Sequence, residues 1–192
     1  DLWRSYLVST GSNAACGAVY AKMNADPNSS LAIRDVLEHD LEQVLRINEA
    51  VVPAVNSIDI EQMRWFTENA AYFRVAGHAG KVSAFLIGMR PGTSYQSPNY
   101  LWFCEAYEDF GYIDRVAVDT GARRFGLATR MYEDFESSLP ATVDVLTCEV
   151  NIHPPNESSM RFHERFGFRQ VGSQHTDGGT KRVALMEKER QL

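Results

Sequence analysis

An α/β (α+β) fold is predicted, with a mixed, mainly antiparallel sheet of about six to seven strands and helices on both faces. Three observations predict it. Apolar residues recur at helical spacing in several windows, short β-branched and aromatic runs lie between them, and Gly or Pro punctuates most boundaries. The resulting order is β-α-α-β-β-β-α-β-α-β-β, with strand–helix alternation in one half and hairpins in the other.

After the loop signal Pro27-Asn28-Ser29-Ser30, residues 31–34 read as a short strand. Residues 40–52 read as a helix with Leu41, Val44, Leu45, Asn48 and Val52 along one face, ended by Pro53. Asp59, with Gln62 three residues on, marks a capping box for a second helix carrying Ile60, Met63, Phe66 and Ala70. Residues 71–76 and 82–89 form a hairpin through Gly77-His78-Ala79-Gly80.

Residues 90–110 contain Pro91, Gly92, Pro98 and a run of aromatics, and read as a long connection, either a packed lid or part of a binding site. Residues 112–118 are a strand, followed by a turn at Asp119-Thr120-Gly121 and a helix over about 124–138 with Ala128, Met131, Tyr132, Phe135 and Leu139 inward. Residues 143–150 are the next strand. Asn156 caps a short helix through Arg165, with Gly167 as its stop. Residues 168–175 and 181–188 form the last pair, joined through Asp177-Gly178-Gly179.

The chain has 192 residues, a length that suits one domain with a small appendage, and 44% hydrophobic residues, enough for a buried core. A net charge of −6 argues against nucleic acid as a partner and suits a cationic acceptor. Cys16, Cys104 and Cys148 are too scattered for a disulfide framework or a metal knuckle, so no metal and a reducing, cytoplasmic setting are expected. No apolar run approaches the ~18 residues of a membrane span, so no membrane partner is expected. Residues 1–30 are expected to be an N-terminal extension or remnant ahead of a domain at 31–192. Val19-Tyr20-Ala21 faintly resembles a signal-cleavage site, but Ser9, Thr10, Ser12 and Asn13 interrupt the apolar stretch before it, and Met23 is an alternative start.

The segment most suggestive of chemistry is Arg123-Arg124-Phe125-Gly126-Leu127-Ala128, between a strand and a helix. The first amides of a helix lack intrahelical partners and sit at the positive end of its dipole, so they bind anions where the backbone can be approached closely. Gly126 and Ala128 permit that approach, and Arg123 and Arg124 add charge. Small residues at a helix start also serve plain helix–strand packing.

Residues 112–128 resemble the acetyl-CoA motif of the GNAT (GCN5-related N-acetyltransferase) superfamily, a strand and turn followed by Arg/Gln-x-x-Gly-x-Gly/Ala. Residues 156–168 are similar to its second signature, Asn-x-x-Ala/Ser-x-x-x-Tyr-x-x-x-Gly-Phe, and residues 146–151 fall where the family places its fifth strand. The resemblance implies splayed fourth and fifth strands with the pantetheine arm of acetyl-CoA (coenzyme A) along Val116, Ala117 and Val118. It implies pyrophosphate on the amides of Arg124, Phe125, Gly126, Leu127 and Ala128 with Arg123 at the rim, and further cofactor contacts from Asn151, Asn156 and Ser159. The implied reaction is direct acyl transfer to a primary amine of a small molecule or peptide, with a homodimer possible through the last strands or the N-terminal extension. A non-catalytic acyl-CoA-binding regulator and a cofactor-free packing domain are the alternatives.

The chemistry requires a base for the ammonium and a donor for the departing thiolate. The second signature carries His163 where the family has Tyr, so His163 is a candidate acid, base or cofactor contact, with Tyr112 a substitute phenol. Asp114 and Glu149 are candidate bases, being carboxylates within apolar strands, with a structural ion pair as the other reading. Simple alternation puts Tyr112, Asp114, Val116 and Val118 on one face and Arg115 on the other. The acceptor is expected against residues 52–60 and the aromatic segment 95–110, with Trp102 among its walls and Glu105, Glu108 or Asp109 attracting its charge.

Overall fold

The computed structural model describes residues 31–190, so the readings made on residues 1–30 lie outside the described residues. The order is β1 (Ala32–Asp35), α1 (Leu41–Glu49), α2 (Ile60–Asn69), β2 (Tyr72–His78), β3 (Lys81–Met89), α3 (Pro98–Ala106), β4 (Gly111–Val118), α4 (Leu127–Ser138), β5 (Val145–His153), α5 (Glu157–Phe166), β6 (Arg169–Thr176) and β7 (Lys181–Glu189), with short 3-10 turns between some of them. Seven strands form one sheet in the order β1-β2-β3-β4-β5-β7-β6. Every pairing is antiparallel except β4 with β5.

Strand alternation builds the two layers. Phe73, Val75, Phe85 and Ile87 point into a core shared with Leu41, Val44, Met63 and Phe66 of α1 and α2. The intervening positions face α4. The Tyr72 ring meets Phe135 edge-on, and a Cβ on Gly88 would lie 2.5 Å from the Phe135 ring. Gly111 is constrained in the same way, since a Cβ on it would lie 2.5 Å from Leu139 Cδ1. The missing side chains let α4 lie flat on β3 and β4, which fixes the position of its N-terminus.

The helix caps follow the sequence. Asp59 accepts from the Gln62 amide at 2.7 Å, and Asn156 accepts from the Ser159 amide at 3.2 Å, each worth about 1 kcal/mol. Gly167 takes a left-handed conformation, φ 102°, at the end of α5.

Three local readings are corrected. Residues 90–110 are not one long connection, because α3 occupies Pro98–Ala106 with proline in its first turn. Helix α1 stops at Glu49, three residues early, leaving Val52 41% exposed in the turns before Pro53. The alternation assumed in β4 fails because Ile87 pairs with Arg115 while its neighbour Gly88 pairs with Ile113, so Asp114 is an extra, bulged residue. Asp114 and Arg115 consequently both turn toward the α1–α2 layer, and Val116 and Val118 do not share that face with Asp114.

Candidate active site

Beside β4 the sheet opens. Its parallel pairing with β5 covers only Gly111–Ile113 against Leu146–Cys148. Beyond that point β4 follows β3 and β5 follows β7. The divergence leaves a cleft of about 880 Å³ running between β4 and β5.

One side of the cleft combines the start of α4 with two arginines. Val116, Ala117 and Val118 line it with no β5 partner beyond Ile113. Arg123, Arg124, Gly126, Leu127, Ala128 and Thr129 continue the wall onto the start of α4. Gly126 is the N-cap, has no side chain to cap the helix, and sits at φ 71°, where a side chain is strained. A Cβ built on it meets no atom within 4 Å, so the space above the helix start is open. That combination suits a phosphate group approaching the first amides of α4. Phe125 is absent from the lining, its side chain 43% exposed. Asn156 and Ser159, at the start of α5, complete the wall, with Asn156 occupied as the helix cap.

The other side holds carboxylates. Asp114 is paired with Arg115 at 2.7 Å, both side chains under 10% exposed. Arg115 also donates to Asn48 Oδ1 at 3.1 Å and to the Asn56 carbonyl at 3.4 Å, and lies over the Phe66 ring. The Tyr95 hydroxyl donates to Asp114, and its ring stacks on Trp65. The bulge makes the pair possible, so the ion-pair alternative for Asp114 holds with Arg115, the residue that simple alternation puts on the opposite face.

Glu149 is different. It lines the cleft and accepts from the Tyr112 hydroxyl at 2.7 Å, and nearby Asn99 favours its charged form. Burial, and then the Asp114 charge, push its carboxyl up to about 7. No salt bridge engages it among the described residues, so it is the carboxylate here poised to gain and lose a proton near neutrality.

The histidine has two partners. His163 Nδ1 lies 2.8 Å from the Ser159 carbonyl, which can only accept, so Nδ1 carries the proton. Nε2 of the neutral ring then accepts from the Tyr132 hydroxyl at 2.8 Å. Burial lowers its pKa, which keeps the ring neutral. Tyr112 and Tyr132 are both buried, but only Tyr132 is in the cleft lining. Two phenols line the cleft, Tyr95 bound to Asp114 and Tyr132 of α4 bound to His163.

Of the fifteen candidate residues, the cleft lining gathers all but Phe125. Tyr95 and Asn99 fall within the segment 95–110 expected at the acceptor, whereas sequence reasoning missed Arg115, Thr129 and Tyr132 as cleft residues. Pro98 at the first turn of α3 was the available signal for Asn99; Tyr132 was read only as a core position. The acidic residues expected on the aromatic segment turn away: Asp109 pairs with Arg90, and neither Glu105, Glu108 nor Trp102 lines the cleft.

Residues 39–168 match the model of the acetyltransferase (GNAT) family. The chain belongs to the GNAT acetyltransferase family. No curated protein matches it significantly. Among solved structures, Ard1 from Thermoplasma volcanium is 18% identical with a TM-score of 0.69, covering 85% of this chain and 99% of that one. NAA60 of Arabidopsis thaliana, solved with a bisubstrate analogue, is 16% identical at TM-score 0.66, with 83% and 97% covered. Ribosomal-protein-alanine N-acetyltransferase from Brucella melitensis is 21% identical at 0.62, with 83% and 99% covered. These likenesses establish the GNAT fold. Among the described residues no helix is long and apolar enough to cross a membrane.

Proposed function

We propose that this GNAT chain transfers an acetyl group from acetyl-CoA to a primary amine by direct transfer, with Glu149 as the base. The supporting observation is that one cleft joins an open, glycine-started helix end to a carboxyl titrating near 7. When bound, acetyl-CoA supplies a thioester whose C–S bond breaks as the C–N bond to the amine forms.

The chain's own residues do the rest. The amides of Leu127, Ala128 and Thr129, with Arg123 and Arg124 near them, hold the diphosphate. The free backbone edge of Val116–Val118 takes the pantetheine arm as an added strand. Ionised Glu149 accepts the proton of the acceptor's ammonium, and Tyr112 keeps its carboxylate aimed at the cleft. Tyr132 offers its hydroxyl to the departing sulfur by rotating its O–H from His163 Nε2 toward the cleft, and His163 acts through it as a positioning residue. Asp114, held by Arg115 and Tyr95, raises the Glu149 pKa.

Thiol release from acetyl-CoA in the presence of amines, with the acetylated amine identified by mass spectrometry, checks this reading. The expected result is release that depends on amine. Tight acetyl-CoA binding with no transfer to any amine marks the chain as a binding regulator instead.

A further inference from the structure

The acceptor half of the cleft has two properties that narrow its substrate. The first is charge. Its carboxylates are Asp114, Glu149 and Asp177. Asp114 is neutralised by Arg115, and Asp177 by Lys181 at 3.0 Å. Glu149 alone has no cationic partner among the described residues. The cations held against these carboxylates, Arg115 and Lys181, are equally committed, while Arg123, Arg124 and Arg165 line the cleft from the start of α4 and from α5. Arg115 is 7% exposed, with its donors on Asp114, Asn48 and Asn56. Lys181 is shared between Asp177 and Asn56 Oδ1, the latter at 2.6 Å.

The second property is enclosure. The loop after α1 brings Val51, Val52, Ala54 and Val55 to the cleft, facing Tyr95 and Pro98. Two bonds tie this loop across the opening to the far strands: Asn151 donates to the Pro53 carbonyl at 3.1 Å, and Lys181, at the start of β7, reaches Asn56. Asn56 is further held through its carbonyl by Arg115. A polypeptide acceptor needs a continuous exit for the chain behind its N-terminus, and this strap lies across it.

We propose that the acceptor is a compact monoamine with an apolar substituent, bearing neither a carboxylate nor a second amine, enclosed beneath the 51–56 strap. This rests on the acetyl-transfer reading above. One ammonium matches the one unpaired carboxylate. A substrate carboxylate beside Glu149 finds Arg115 and Lys181 already engaged, and a second ammonium finds Asp114 and Asp177 already paired. The apolar walls take the substituent.

Initial rates of thiol release are measured with acetyl-CoA and isobutylamine, 2-phenylethylamine, L-phenylalanine, spermidine or a tetrapeptide with a free N-terminal Val. The expected kcat/KM for the better monoamine exceeds that for each of the other three by at least about 100-fold, the scale of discrimination against an unpaired buried polar group. Lys181→Ala, which frees one end of the strap, is expected to raise the tetrapeptide's kcat/KM about tenfold or more relative to the monoamine's. Preference for phenylalanine, spermidine or the tetrapeptide in the unaltered protein overturns the proposal. So does acetyl-CoA binding, seen by calorimetry, without transfer to either monoamine. An unchanged tetrapeptide ratio in Lys181→Ala overturns the strap. Absence of acetyl-CoA binding overturns instead the donor reading beneath it.

Discussion

Glu149→Gln is expected to lower kcat by about 100- to 1000-fold, the usual worth of a positioned base, with little change in acetyl-CoA affinity. Glu149 reaches the cleft from β5, where pairing with β4 has just ended. Glutamine keeps the shape and still accepts from Tyr112, but it cannot take a proton. In the unaltered protein kcat, at saturating acceptor, is expected to rise with pH through about 7 and then level off, as the carboxyl ionises. The variant loses that limb. Stability supplies an independent check. The folded carboxyl titrates above its ordinary value of 4.5, so below about 4.5 its burial costs nothing, and the penalty grows as pH rises to about 7. Glu149→Gln should therefore raise Tm at pH 8 and show a smaller gain at pH 5. A variant within threefold of the parent in kcat, with its neutral limb intact, removes Glu149 as the base.

Gly126→Glu is expected to weaken acetyl-CoA binding by at least about 100-fold, roughly 2.7 kcal/mol, measured by calorimetry. The side chain would enter open space above the helix start and bring negative charge where diphosphate is expected. Its φ of 71° also adds strain, on the order of 1 kcal/mol, which Gly126→Ala carries without the charge. The alanine variant separates the two effects: a modest loss of stability with binding reduced far less than in the glutamate variant. Undiminished binding in Gly126→Glu places the donor elsewhere.

These expectations had different degrees of support in the sequence. The loop around Gly126 was readable because one glycine, flanked by small residues and arginines at a helix start, is both a backbone and an electrostatic feature. The caps at Asp59 and Asn156 were readable for the same reason: they act within three or four residues. The bulge at Asp114 was not. It shows only in the register with β3, where Ile87 pairs with Arg115 and Gly88 with Ile113, and period-two counting along β4 contains no trace of it. That single extra residue turned Arg115 toward Asp114 and decided which carboxylate is neutralised. Helix α3 was hidden by its composition, since aromatic residues score as strand or lid and only Pro98 marks the start. Tyr132 was visible as a buried helix position, but its partnership with His163 joins two helices 31 residues apart in sequence.

A crystal structure with CoA bound tests the central claim most directly. The account predicts diphosphate on the amides of Leu127–Thr129, the pantetheine arm beside Val116–Val118, and the thiol in the β4–β5 gap within reach of Tyr132 and on the path to Glu149. Diphosphate bound away from α4, or a thiol emerging outside that gap, would contradict it.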